Sequence, residues 1–230
     1  MSAPSADPFS GMVDSFTSSI NSLSMFTPIS EATTNGLMFL TSRDAANYIA
    51  QNIADMQRDP GYEYGAGVTS FVTVINGKVV IRYGVTPITR GTNGDSMNGI
   101  PATWGGKHDG PNGENTNQMY WDITEGKVSG VSVVDYVHSH PPAMDAVSRL
   151  AELEGKYSPN TFSAGDLSFG YEHNQGAYVL TPTGELRYSP ALNLSIKDSF
   201  GWPATRNVYT RNVYTSELKG TLVGRFNMSQ

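Results

Sequence analysis

Val68-Thr-Ser-Phe-Val-Thr-Val-Ile75, then Asn76-Gly77, then Lys78-Val-Val-Ile-Arg-Tyr-Gly-Val85: two runs rich in β-branched residues are joined by a pair that tolerates positive φ. Asn-Gly between such runs is the strongest short-range signal for a two-residue β-hairpin. The pattern becomes strand-like from Gly67, so the middle of the chain is built on a sheet.

Upstream of the hairpin the period changes. Ala45, Tyr48, Ile49, Ile53 and Met56 form an apolar stripe at helical spacing, which predicts a helix from Arg43 to about Arg58 with Ser42 as its N-cap. Asp59, Pro60 and Gly61 end it. Residues 1–41 are rich in Ser, Thr, Ala and Pro, and the first basic residue is Arg43. Within them Phe9, Met12, Val13, Phe16, Ile20, Leu23, Met25 and Phe26 recur at partly helical spacing. That segment reads either as a short amphipathic helix that docks on a partner or on the domain itself, or as a loosely ordered tail.

Downstream, residues 86–120 are Gly-, Asn- and Thr-rich without periodicity and read as a long insertion or lid. A strand is expected from about Val128 to His140, followed by a short helix near Met144 to Glu154. A second hairpin is expected over Tyr171 to Tyr188, turning at Pro182-Thr-Gly184. The tail from Ala191 mixes strand signals with an immediate repeat, Arg206-Asn-Val-Tyr-Thr then Arg211-Asn-Val-Tyr-Thr, too short for a solenoid and suited to an extended β-arm.

Composition narrows the function. Charged residues are 16% of the 230, and Lys and Arg total 15 against 21 acids, a net charge of −6. No basic cluster exists to neutralise phosphates, which argues against nucleic-acid binding. Cysteine is absent. Thiol nucleophiles, Cys-based zinc sites and the His/Cys/Cys deaminases are therefore excluded. No positively charged leader and no apolar run of membrane-spanning length is visible, so export would need a route other than a signal peptide.

The stretch that carries chemistry is Tyr136-Val-His-Ser-His-Pro-Pro142. Residues two apart on a strand share a face, so His138 and His140 can offer imidazoles to one ion. Pro141 stops the ladder and leaves the pair at a strand end. Alone, His-x-His is more often two unrelated surface histidines. Phe162-Ser-Ala-Gly-Asp-Leu167 adds a carboxylate, Asp166, and a hydroxyl, Ser163. Two imidazoles and one carboxylate leave a fourth tetrahedral position for water, as in catalytic zinc sites. Ser163 also fits an N-cap with Asp166 in the first helical turn, a purely structural role that can coexist with a functional one. Glu63, in Tyr62-Glu-Tyr-Gly65, stands where the helical stretch gives way to the first strand. It could take a proton from water there, although an ordinary loop acid would look the same.

His108 and His173 read as solvated loop residues, and Asp109, Asn112 and Glu114 miss the spacing of a calcium loop. There is no His-Glu-x-x-His, no Gly-x-Ser-x-Gly elbow and no Walker A loop, since Gly106-Lys107 has Pro101 at the first required glycine.

His138-Ser-His-Pro141 followed by Ser163-Ala-Gly-Asp166, with Glu63 upstream, resembles the signature of JAMM (JAB/MPN) metallopeptidases. Over residues 42–190 the chain resembles more closely still a JAB-like domain of unknown function at the C-termini of bacterial RHS and other polymorphic-toxin proteins. The Arg43–Ile53 helix and Tyr178-Val-Leu-Thr-Pro-Thr-Gly184 add to the match. The resemblance implies an α+β fold of the cytidine-deaminase-like type: a mostly antiparallel sheet flanked by helices, with long loop insertions at about 86–120 and 142–161. It divides the chain into a docking or loading segment (1–41), a catalytic domain (42–190) and a C-terminal β-arm (191–230). It implies Zn²⁺ held by His138, His140 and Asp166. Glu63 would act as general base and then acid to the leaving amine, and Ser163 would bond the oxyanion. The substrate would be a protein or peptide and the setting a bacterial effector or toxin. Such a domain is made in the cytoplasm and exported without a signal peptide, with an immunity, chaperone or secretion partner at residues 1–41. One departure is the spacing: 22 residues separate His140 from Ser163, more than JAMM enzymes usually have. The rival expectations are a catalytically silent JAMM-like module of a phage tail or contractile injection assembly, and a hydrolase acting on something other than an amide.

Overall fold

A computed structural model describes residues 27–56, 62–91, 104–105, 117–141, 159–191 and 220–228. The expected helix at Met144–Glu154, His108, Asp109, Asn112, Glu114, the pentapeptide repeat and the apolar positions from Phe9 to Phe26 lie outside the described residues.

The hairpin forms as expected. Strands β1 (Tyr64–Ile75) and β2 (Lys78–Val85) pair antiparallel around Asn76 and Gly77, both at positive φ. β3 (Thr89–Arg90), β4 (Val131–Ser139), β5 (Gly176–Leu180), β6 (Glu185–Ser189) and β7 (Thr221–Arg225) complete one seven-stranded sheet. Its order is β2-β1-β4-β5-β6-β7, with β3 also paired to β1. Every pairing is antiparallel except that of β4 with β5. The protein is thus α+β, with a mixed and mostly antiparallel sheet.

Helices cover both faces. On one, α2 (Ser42–Asp55) buries Ala45, Ala46, Ile49, Ala50, Ile53 and Ala54 against Ala66, Val68, Val85, Val137, Tyr178 and Leu180. The alanines let the helix axis approach the sheet closely. Its N-cap is Thr41, one residue earlier than expected: the hydroxyl accepts from the Asp44 amide at 3.1 Å. Ser42 instead bonds the buried carboxyl of Asp135, whose pKa is raised by burial. The helix ends at Asp55, short of the expected Arg58.

The opposite face carries the short helix α1 (Ile29–Ala32), α3 (Gln118–Thr124) and α4 (Ala164–Glu172). Ala32, Trp104, Tyr120, Trp121, Tyr136 and Leu167 pack there, among others. Three expectations fail on this side. The 86–120 stretch is not wholly a polar lid, because Trp104 and Tyr120 are core residues and α3 begins within it; a helix of seven residues is too short to show a period. The second hairpin does not begin at Tyr171, because α4 continues to Glu172 and β5 starts at Gly176. His173 follows α4 half-buried, its ring against Trp121 and Phe169 rather than in solvent.

Described residues outside 42–190 belong to the same body. Thr33 is buried and takes the Val85 amide on its hydroxyl at 2.8 Å. β7 adds an edge strand, and Arg43 Nη2 donates to the Val223 carbonyl at 2.5 Å. Just before β7, Gly220 lies so close to the Phe162 ring that a Cβ there would stand 2.5 Å from it.

Gly67 illustrates how the second layer closes on β1. A Cβ at this position would sit 2.6 Å from the Tyr120 ring. That ring is fixed by its hydroxyl donating to Gln175 Oε1 at 2.6 Å and by its amide donating to Asn117 Oδ1 at 3.2 Å. Gly67→Ala is therefore expected to overpack the core and cost about 1–3 kcal/mol, read as a lower urea midpoint at unchanged m-value.

Candidate metal centre

Strand β4 delivers the histidines. It is the central strand, with His138 opposite Gly65 of β1 and Val179 of β5. Alternation sends Tyr136, His138 and His140 to the side of α3 and α4, while Ser139 turns the other way and accepts from the Tyr64 amide at 3.0 Å. The His140 amide still donates to Leu180 O at 3.0 Å before Pro141 ends the pairing. Both imidazoles are 2% exposed, so they are not surface residues.

The third group comes from α4. Ser163 caps that helix as expected: its hydroxyl accepts from the Asp166 amide at 3.1 Å, and its own amide donates to Asp166 Oδ2 at 2.6 Å. The Tyr136 hydroxyl donates to the Asp166 carbonyl at 2.5 Å. Held at backbone and side chain, the Asp166 carboxylate straddles the imidazoles. Oδ1 lies 3.3 Å from His138 Nε2 and Oδ2 lies 3.3 Å from His140 Nε2, while the two Nε2 atoms are 3.2 Å apart. Capping and convergence on the histidines coexist in one residue.

Glu63 sits immediately before β1, buried. Its Oε2 accepts from the Trp104 amide at 2.9 Å, and its carbonyl accepts from the Gly91 amide at 2.8 Å. Burial raises its pKa, and the charges of His138 and His140 pull back against that rise. Asp166 behaves oppositely. Burial works against its ionisation too, but the charge and hydrogen bonds of His138 and His140 outweigh it and hold its pKa well below the usual range. Burial likewise opposes charge on His140, and the Asp166 carboxylate overcomes it, leaving that imidazole's pKa raised.

Trp104 was not foreseen. Its indole stacks on Tyr136 at 6.1 Å between centroids and 17°, and the indole N–H donates to Thr89 Oγ1 at 2.9 Å. A Cβ at Gly65 would stand 2.6 Å from the indole, so the bare backbone there makes room for it. The only sequence signal was a lone large aromatic within a Gly-, Asn- and Thr-rich stretch.

The donor chemistry tests whether a cation fits. His140 Nδ1 lies 3.2 Å from the Pro159 carbonyl, which accepts but cannot donate, so the proton belongs on Nδ1 and a lone pair on Nε2. That lone pair faces His138 Nε2 and a carboxylate. If His138 also carries its proton on Nδ1, three acceptors face one another, and a buried Nδ1–H is left without a partner among the described residues. If the proton sits on Nε2, a bare buried Nδ1 is orphaned instead. A cation at this point would satisfy both Nε2 lone pairs and the carboxylate together, with His138 in its Nδ1–H tautomer. The spacing agrees: metal bonds of about 2.0–2.1 Å in tetrahedral geometry place ligand atoms roughly 3.3–3.4 Å apart. His138, His140 and Asp166 can therefore hold a metal ion.

No protein-family model matches the chain, and no curated protein or solved structure matches it either.

Zinc added to the metal-free protein is expected to raise the melting temperature in a concentration-dependent way, since binding to the folded state alone stabilises it. Asp166→Asn, which keeps shape and removes charge, should abolish most of that rise. An equal rise in the variant would place the ion elsewhere.

Proposed function

We propose that this chain is a zinc-dependent hydrolase of JAMM type, cleaving a peptide or isopeptide bond as a bacterial effector or toxin domain. One observation carries the reading: two buried imidazoles and a helix-capping aspartate offer ligand atoms within 4.8 Å of one another, and a buried glutamate from a third region of the chain feels the charge of all three. Their order follows the JAMM pattern described above, with a longer interval between His140 and Ser163. Helices on both faces of a mostly antiparallel sheet, with long connections, suit the cytidine-deaminase-like architecture of that family.

Two nitrogens and a carboxylate are the donor set of catalytic rather than structural zinc sites, with one position left for water or substrate. Zinc in such a set supplies Lewis acidity and brings the pKa of water down to about 7. The residues divide the remaining work. Glu63, its pKa raised by burial, is suited to accept a proton from the attacking water and return it to the leaving amine. The Trp104 amide occupies Oε2 and directs Oε1 to that task. The Ser163 hydroxyl accepts from the Asp166 amide and so keeps its own proton to donate to the developing oxyanion, an interaction worth about 3–4 kcal/mol in comparable sites.

A second reading, a silent module that holds its metal for structure alone, draws on the near-complete burial of both imidazoles. Glu63→Gln separates the two. In the zinc-loaded full chain, assayed on unfolded-protein and isopeptide reporters, the variant should keep its zinc and lose about 10²–10⁴-fold in rate. A zinc-loaded parent with no turnover, or a variant as fast as the parent, would leave the structural module standing.

A further inference from the structure

Beyond Phe71, which pairs with Val131, β1 has no neighbour on its β4 side among the described residues. The β1–β2 hairpin therefore runs past the sheet as a two-stranded arm. One of its faces is wholly apolar: Val72 opposite Ile81, and Val74 opposite Val79. These side chains are 40%, 58%, 45% and 51% exposed. The same face is fully covered further back, where α2 buries Val68 and Val85. A β-branched surface that one helix covers for half its length, ending in an open strand edge, is a pairing and aggregation hazard unless something lies on it.

We propose that residues 1–26 of this chain cover the arm, packing beside α2 as a second helix on the same face. Three observations select this occupant. Phe9, Met12, Val13, Phe16, Ile20 and Leu23 fall at i, i+3, i+4, i+7, i+11 and i+14, the stripe that a helix lying on a sheet requires. The span from Phe9 to Leu23 matches α2, which has 14 residues.

The entry point also fits. The Thr27 hydroxyl donates to the Ser129 carbonyl, two residues before Val131 begins β4. Thr27 thus stands at the root of the arm, on the side where Ile29 and Ala32 pack with the α3 and α4 layer. Because β4 starts only there, the open edge of β1 lets the chain pass to the other face. About three extended residues cover roughly 10 Å, enough to carry the chain round that edge. A tether this short gives residues 1–26 a high local concentration over any free competitor. The proposal stands independently of the metal centre.

The absence of cysteine makes the test clean. In the full chain, Val74→Cys is combined in turn with Met12→Cys, Phe16→Cys and Ile20→Cys, and oxidised at low protein concentration. At least one pair is expected to close an intramolecular disulfide several-fold faster than the same N-terminal cysteine pairs with Gln51→Cys, on the exposed side of α2. Equal rates with both partners would overturn the proposal. So would a disulfide-linked dimer from Val74→Cys alone, which would assign the arm to a second copy of the chain. As a second reading, Phe16→Asp in the full chain should raise the fluorescence of a hydrophobic dye several-fold and leave the melting temperature nearly unchanged. No change in dye binding would count against coverage by this segment.

Discussion

His138 Nε2, His140 Nε2 and the Asp166 carboxylate lie within 3.2–3.3 Å of one another, almost out of reach of water. With both imidazoles neutral and protonated on Nδ1, as the Pro159 carbonyl favours for His140, each is an acceptor. Groups of this kind repel when crowded, and burial removes the solvent that would soften the repulsion. The fold spends much of its second layer holding them there. The cap between Ser163 and Asp166, the Tyr136 hydroxyl on the helix backbone and the Trp104 indole over Gly65 all prevent the cluster from relaxing apart. A cation turns that opposition into mutual support, because one positive charge answers all three donors.

The arrangement separates two duties. The sheet supplies rigidity: His138 and His140 hang from a central strand paired on both sides, so their Cα positions are fixed by backbone bonds that no side-chain change removes. The connections supply the acids. Glu63 arrives at the mouth of β1, and Asp166 arrives one turn into α4. Tethering the glutamate to a main-chain amide, that of Trp104, orients one oxygen without adding a charge to compete for protons.

Much of this was legible beforehand, for identifiable reasons. Asn76-Gly77 demanded a hairpin because few other pairs accept positive φ at both positions. The His pair was legible because a strand period of two places both rings on one side and Pro141 cannot continue the ladder. Ser163 and Asp166 showed themselves through capping chemistry, which operates within four residues. What escaped notice depended on distant contacts. Trp104 has no periodic context, and its role comes from Gly65, Thr89 and Tyr136, which the chain brings to it only on folding. The seven residues of α3 make barely two turns. The cap of α2 slipped by one residue because Thr41 and Ser42 are both able to cap, and the choice between them was settled by Asp135 of β4 beneath the helix.

The close approach of Gly220 to Phe162 bears on the order in which the molecule can be completed. Phe162 is buried and leads directly into Ser163, so the strand that supports it also steadies the entry to the ligand-bearing helix. During translation the two imidazoles emerge well before that strand does. The nascent chain can assemble the hairpin, its covering helix and the central strand while the aspartate's surroundings still lack their outer wall. Final closure of the cluster is in this sense a late step of biosynthesis, and a ribosome-bound chain stalled short of residue 220 would hold His138, His140 and Asp166 without the full brace that keeps them together.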